Sequence, residues 1–216
     1  IEDTAVTIED LPEFIEEFDA IMESHGKKSI YYAHAGDGEI HLRPILDLKK
    51  GVDRELFFQI TDDVATLVKK YRGSLSGEHG DGRVRAPFIK KMIGEQNYKL
   101  IEKVKTIWDP ENIFNPGKIV NAPPMNESLR YEKDMVDPKF DTMLDFSETD
   151  GILKMAEKCN GTGLCRKTHL SGGTMCPSFM ATRNEKDSTR GRANILREFL
   201  TVSNKKNKFD HKEIKE

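Results

Sequence analysis

Cysteine is scarce in this chain: three occur in 216 residues, and all lie between positions 159 and 176. An odd, clustered set excludes the even and dispersed framework of a disulfide-stapled secreted fold. It fits metal ligands in a reducing compartment. Long apolar runs are also missing. Nothing approaches the ~20 consecutive apolar residues that span a bilayer, and no signal-peptide pattern opens the chain. The expectation is a cytoplasmic protein, with membrane association confined to peripheral contact on the inner face. A strong charge of one sign is absent too: 34 basic against 37 acidic residues leave a formal net charge of −3. That balance offers no electrostatic case for a nucleic-acid partner. The first residue is Ile1 rather than Met, and the chain starts directly in strand-like sequence, Asp3–Ile8, which reads as an excised fragment of a longer protein. Internal repeats are absent.

Hydrophobic residues make up 37% and charged residues 33%, enough apolar material for the core of one or two domains under a well-solvated surface. After the first strand, Pro12 marks a helix start, and Phe14, Ile15, Phe18, Ile21 and Met22 recur at helical spacing up to Gly26. Lys28–Ala33 and Glu39–Ile45 read as strands. Asp53–Tyr71 reads as a helix with Leu56, Phe57, Ile60, Val64, Leu67 and Val68 on one face. A glycine-rich segment over 73–82 interrupts, two helices follow over 87–108, and a turn-rich stretch from Trp108 to Gly117 closes the unit. Strands interleaved with helices and joined by a hairpin predict an α+β fold, an antiparallel sheet with packed helices. The expected organisation is a first domain over 1–120, a linker over 121–146, a small mainly α-helical segment over 147–204, and a polar tail over 205–216. In the second segment, Ser147–Asp150 is expected to cap a helix over 151–158, and another helix is expected over about 188–200.

The densest chemistry lies in His34-Ala-Gly-Asp-Gly-Glu-Ile-His41. Asp37-Gly38 is a strong signal for a two-residue hairpin turn, because both central positions need positive φ. In that register His34 faces His41, and opposed cross-strand residues have Cβ atoms roughly 4.5–5.5 Å apart, close enough for two imidazoles to share a metal ion. The plain alternative is a hairpin with two surface histidines. Ser76-Gly-Glu-His-Gly-Asp-Gly-Arg83 offers a third ligand. Glu78 and His79 are adjacent, so in extended backbone they point to opposite sides, one completing a site with the histidines and the other facing a neighbouring pocket. Two histidines and a glutamate are a recognised ligand set with open positions for water or substrate. A phosphate-cradling loop is the rival for so many glycines, but the Lys-Ser/Thr pair of a P-loop is missing.

Three motifs, His34–His41, Gly77–Arg83 and Asp109-Pro-Glu-Asn-Ile-Phe-Asn-Pro-Gly-Lys118, in this order and spacing resemble the C-terminal half of the FAD-linked oxidases. The nearest group there comprises D-lactate dehydrogenase, the glycolate oxidase flavin subunit and D-2-hydroxyglutarate dehydrogenase. The resemblance covers about residues 1–120. It implies that His34, His41 and Glu78 hold a divalent metal (zinc, or iron or manganese), that His79 lies beside a bound hydroxy acid, and that Asn115 is a flavin-side residue. Arg43 stands where many members have a substrate-contacting Asn, which leaves the substrate's identity open. The family's FAD-binding half is expected to precede Ile1, so this chain supplies the substrate-side wall and binds FAD weakly or not at all alone.

Oxidising a 2-hydroxy acid removes a hydride from the carbinol carbon and a proton from its hydroxyl. A cation favours the alkoxide, His79 is a proton acceptor of suitable basicity, and FAD takes the hydride. Arg43, Arg83 and Arg85 are candidates to fork a substrate carboxylate. Ordinary surface arginines are the alternative.

Cys159-Asn-Gly-Thr-Gly-Leu-Cys165 and Cys176-Pro177 approximate the Cys-x2-Cys-x2-Cys…Cys-Pro pattern of cluster-binding ferredoxins, with Thr162 in the middle cysteine's place. Together with Ser188-Thr-Arg-Gly-Arg-Ala-Asn194, this region resembles the ferredoxin-like segment fused behind the oxidase domain in large bacterial FAD-linked dehydrogenases. The resemblance implies part of the ligand set of a [4Fe–4S] cluster on Cys159, Cys165 and Cys176, with further ligands beyond Glu216. Structural zinc on the three cysteines plus His169, and buried free thiols, are the alternatives. The expectation is a flavin- and iron–sulfur-dependent 2-hydroxy-acid dehydrogenase that passes electrons to an acceptor protein or quinone, with homodimerisation as a further expectation. A flavin-free metal-dependent hydrolase and a non-catalytic iron–sulfur electron-transfer module are the rivals.

Overall fold

A computed structural model describes residues 2–172 and 175–215. The chain divides into two compact units, Ile1–Met135 and Val136–Glu216.

The first unit is built on a three-stranded antiparallel sheet in the order β1 (Thr4–Ala5), β3 (Glu39–Pro44), β2 (Ser29–His34). β3 is central, and its period-2 alternation organises the first unit. Ile40 and Leu42 point into the core. They pack with Phe14, Phe18 and Met22 of α1 (Leu11–Ser24) and Val64 and Val68 of α2 (Gly51–Lys70). Glu39, His41 and Arg43 therefore point to the opposite face. Phe14, Phe18 and Met22 recur every fourth residue, which makes α1 one-sided, and Pro12 sits in its first turn where its missing N–H costs no hydrogen bond. Lys69 and Lys70 close α2 at its negative dipole end. α3 (Ala86–Ile93) and α4 (Glu95–Trp108) follow. α3 contributes Phe88 to the core, whereas no residue of α4 is buried.

The expected strand over Asp3–Ile8 is shorter than its sequence pattern, because residues Ile8–Asp10 turn into a 3-10 segment leading into α1. The hairpin register also differs from the expected one. Ala35–Asp37 form a 3-10 turn and Gly38, at φ 71°, closes it, so the connection has four residues rather than two. His34 consequently pairs with Glu39, and His41 pairs with Tyr32. The physical reason lies outside the hairpin. Gly38 is packed against β1's extension, with the Val6 N–H donating to its carbonyl at 3.0 Å. A Cβ on Gly38 would stand 2.0 Å from the Val6 carbonyl oxygen.

After α2, the chain pairs with β1 through reciprocal Ala5–Ser74 hydrogen bonds of 2.9 and 2.8 Å. Gly73 permits this approach, since a Cβ there would meet the Ala5 carbonyl oxygen at 2.3 Å. The glycine-rich loop is thereby laid along the sheet's site-bearing face. Within the stretch expected as a linker, Met125 is buried in the first unit's core and Asp134 accepts from the Gly51 N–H at 2.7 Å.

In the second unit, α5 (Ile152–Glu157) packs against α7 (Thr189–Val202). The hydroxyl of Ser188 caps α7 by accepting from the Gly191 N–H at 2.8 Å. α6 (Pro177–Thr182) follows Cys176, and α8 (Lys212–Lys215) lies near the end. Cys165, Cys176 and Phe179 form a small buried cluster.

Candidate active site

The site lies on the sheet face away from the helices. Cross-strand rows of Ile30–Arg43, Tyr32–His41 and His34–Glu39 make its floor. His34 and His41 are diagonal neighbours in this register, with ring centroids 5.6 Å apart, so the two imidazoles still converge. His41 is 2% exposed, and the ring of Tyr32 lies over it at 4.5 Å.

Over this floor comes the glycine-rich loop. Its shape is set by Asp3, which is fully buried with φ 89°. The Asp3 carboxylate accepts from the N–H of Glu78 at 2.9 Å, the N–H of His79 at 3.0 Å and the hydroxyl of Ser76 at 2.6 Å. Burial alone would raise the Asp3 pKa. These donors, with Glu39 adding a further hydrogen bond, outweigh it and hold the carboxyl well below the usual range. The backbone here is bent rather than extended, so Glu78 and His79 do not face opposite ways as expected. His79 Nε2 is 3.1 Å from Glu78 Oε1, and the same oxygen is 3.8 Å from His34 Nε2 and 3.8 Å from His41 Nε2. His79 also stacks on His41 at 5.4 Å.

A donor absent from the sequence expectation completes the group. His34, Glu39, His41 and Glu78 each offer one ligand atom within 4.8 Å of the others. Two nitrogen and two oxygen donors suit a first-row divalent cation. Glu39 Oε1 is buried here without a hydrogen-bond partner, an orphan acceptor that a cation held by this group would satisfy. Hydrogen bonding to Asp3, followed by burial, raises the Glu39 pKa. The sequence signal for Glu39 was its place directly after Gly38, which a four-residue turn puts opposite His34. Asp3 carried no local signal, since the loop groups it holds lie more than seventy residues away.

The three arginines differ. Arg43 lies on the site face but grips Glu2, with Nε donating to Oε2 at 2.9 Å and Nη2 to Oε1 at 2.7 Å, and its guanidinium sits 4.5 Å from the centre of the Tyr32 ring. That guanidinium holds the Glu2 carboxyl down at about 2. Arg83 donates to the carbonyls of Glu127 and Ser128, and buried Arg85 to those of Glu2 and Gly80. Arg83 and Arg85 thus tie backbone segments together. Asn115 sits on a separate element, exposed at φ 49° in the turn after α4. Asp109 shapes that turn by accepting from the N–H groups of Ile113 and Phe114 at 2.8 and 2.9 Å. The Ile119 N–H donates to the Gly82 carbonyl at 3.2 Å, which joins the turn to the loop following His79.

In the second unit, Cys159 and Cys165 line one cavity of about 410 Å³ together with Thr162 and Arg190. Cys176 is not among its lining residues. The N–H of Phe179, then the hydroxyl of Ser178, hold the Cys176 thiol down to about 6. Among the described residues, no three cysteine, histidine or acidic side chains of this unit converge as the histidine group does. His169 Nδ1 is paired with Arg183 Nη2 at 2.9 Å.

Residues 1–119 match the family described as FAD linked oxidases, C-terminal domain, and the chain belongs to that family. It is 37% identical over 201 residues, 93% of its own length, to a D-2-hydroxyglutarate dehydrogenase of Escherichia coli. It is 36% identical over 210 residues, 96% of its length, to a protein of the same name from Pseudomonas putida. A D-lactate dehydrogenase of Archaeoglobus fulgidus is 32% identical over 118 residues, 55% of the chain and 26% of that protein. The first two alignments are long enough that they run through the cysteine segment. This chain spans only about a fifth of those two relatives, 19% and 20%. No helix among the described residues is long and apolar enough to cross a membrane.

Proposed function

We propose that this chain carries the substrate and metal side of an enzyme that oxidises a 2-hydroxy acid of the D-lactate, glycolate or D-2-hydroxyglutarate class by hydride transfer to FAD. The observation that carries the reading is the convergence of His34, His41, Glu78 and His79 on one face of the sheet, in a chain of the FAD-linked oxidase family.

His34, His41 and Glu78 would hold a divalent cation (zinc, iron or manganese), which when bound supplies Lewis acidity toward the substrate's hydroxyl and carboxylate oxygens. His79 is exposed at the open side of this group and accepts the hydroxyl proton. Arg43, on the same face, receives a carboxylate in exchange for Glu2, an anion swap on one guanidinium. Arg85 and Arg83 serve this chemistry by fixing the loop and the segments beside it. Asn115 faces the flavin. FAD supplies the hydride acceptor, and a [4Fe–4S] cluster a one-electron outlet toward an acceptor protein or quinone. Cys159 and Cys165 offer two thiols to one cavity, fewer than the four a cluster takes. Cys176 packs with Cys165 and Phe179, and the remaining ligands would be supplied elsewhere.

The test is anaerobic mixing of the FAD-loaded enzyme with D-lactate, glycolate and D-2-hydroxyglutarate separately. Bleaching of the flavin by at least one is expected. An oxidised flavin in all three, despite intact FAD binding, would refute the reading.

A further inference from the structure

We propose that Glu39 is a fourth metal ligand, making this a two-histidine, two-glutamate site rather than the three-ligand site of His34, His41 and Glu78. The proposal rests on the metal reading above. Glu39 lies on the central strand, paired with Ala5 on one side and His34 on the other, so its position is fixed by two ladders. The residue is 6% exposed. Its Oε1 stands 3.5 Å from His41 Nε2, belongs to the group of donors within 4.8 Å, and has no hydrogen-bond partner. A buried carboxylate oxygen left without a donor is costly unless a cation satisfies it.

Room for this carboxylate is built in from the facing loop. A Cβ on Gly77 would stand 3.1 and 3.2 Å from Glu39 Cγ and Cδ, so a larger residue there would press on the Glu39 side chain. Asp3, the other carboxylate beside Glu39, is engaged by Ser76 and the N–H groups of Glu78 and His79. Asp3 also lies within reach of His41 and His79, but its oxygens are taken by these donors, whereas Glu39 Oε1 has no partner. Two carboxylates neutralise a dication, and the larger oxygen share favours Mn²⁺ or Fe²⁺ over the softer preferences of a histidine-rich site.

The experiment is calorimetric titration of the 216-residue chain with Mn²⁺, together with the visible spectrum of its Co²⁺ form, for wild type, Glu39→Gln and His34→Ala. Glu39→Gln retains a side chain able to hydrogen-bond Asp3 while removing the anion. The expected result is Mn²⁺ binding at least about tenfold weaker in Glu39→Gln, with an altered Co²⁺ spectrum and a metal-free melting temperature close to wild type. Wild-type affinity and an unchanged Co²⁺ spectrum in that variant would overturn the ligand assignment while leaving the three-ligand reading intact. Absence of Mn²⁺ and Co²⁺ binding in wild type, equal to His34→Ala, would overturn both. If Glu39→Gln does not fold, Glu39→Asp replaces it. That variant retracts the carboxylate by one methylene, so a shifted Co²⁺ spectrum supports the proposal and an unchanged one overturns it.

Discussion

Asp3 holds His79 by the backbone: its carboxylate accepts the His79 N–H at 3.0 Å, in the same grip that takes the Glu78 N–H at 2.9 Å. One buried acid near the start of the chain thus shapes the loop bearing both a ligand candidate and the proton-acceptor candidate. Asp3→Ala removes hydrogen bonds to a charged acceptor, each worth about 1.5–3 kcal/mol. The expected cost is about 3 kcal/mol or more in urea unfolding, with faster amide exchange at Glu78 and His79. Wild-type stability and exchange would show that the loop holds its shape unaided.

Gly38 combines a left-handed backbone with direct contact to the Val6 carbonyl. Gly38→Ala has to move backbone at the turn joining the two site strands, so a loss of about 2–4 kcal/mol is expected. The hairpin also positions His34, Glu39 and His41, and metal affinity should fall with stability. The equivalent change at Gly36, where a Cβ meets nothing within 4 Å, is the control and should leave both unchanged.

Much of this architecture is legible in the sequence, and the places where it is not share a cause. The helical spacing of Phe14, Phe18 and Met22 shows which face α1 buries, and the alternation around His41 marks a strand with two distinct faces. The hairpin register escaped because Asp37-Gly38 has the local chemistry of a two-residue turn, while the actual turn is settled by packing of Gly38 on Val6. Glu39 then takes the place opposite His34 that the shorter turn assigns to His41. Asp3 was invisible for the same reason: its role depends on partners far along the chain. Glu78 and His79 share a side because that remote carboxylate bends their backbone.

The turn bearing Asn115 should respond to acid. Hydrogen bonding from Lys105, together with the N–H groups of Ile113 and Phe114, holds the Asp109 carboxyl below its usual range despite burial. A carboxyl with a lowered folded pKa stabilises fully above its unfolded value, about 3.9, and that stabilisation is lost as pH falls through the folded value. Asp109→Asn should therefore be less stable than wild type at pH 6, and the gap should close below about pH 4. A gap independent of pH would assign Asp109 a purely steric role.

The cysteine segment makes a prediction from ligand number. A [4Fe–4S] cluster takes four protein thiolates, and this chain has three cysteines. Anaerobic reconstitution of the 216-residue chain with iron and sulfide should give no stable stoichiometric cluster. A full [4Fe–4S] spectrum from these residues alone would show a complete site with a non-cysteine ligand.

The most direct measurement is single-turnover flavin reduction by a 2-hydroxy acid substrate in the FAD-loaded enzyme, wild type against His79→Asn. His79 is exposed and adds little packing, so the variant should fold and bind FAD normally. If His79 accepts the substrate's proton beside the metal, the reduction rate falls by about 10²–10⁴, the range for a lost general base. An unchanged rate would contradict the account, because the proton would then leave by a route that the convergence of these histidines does not serve.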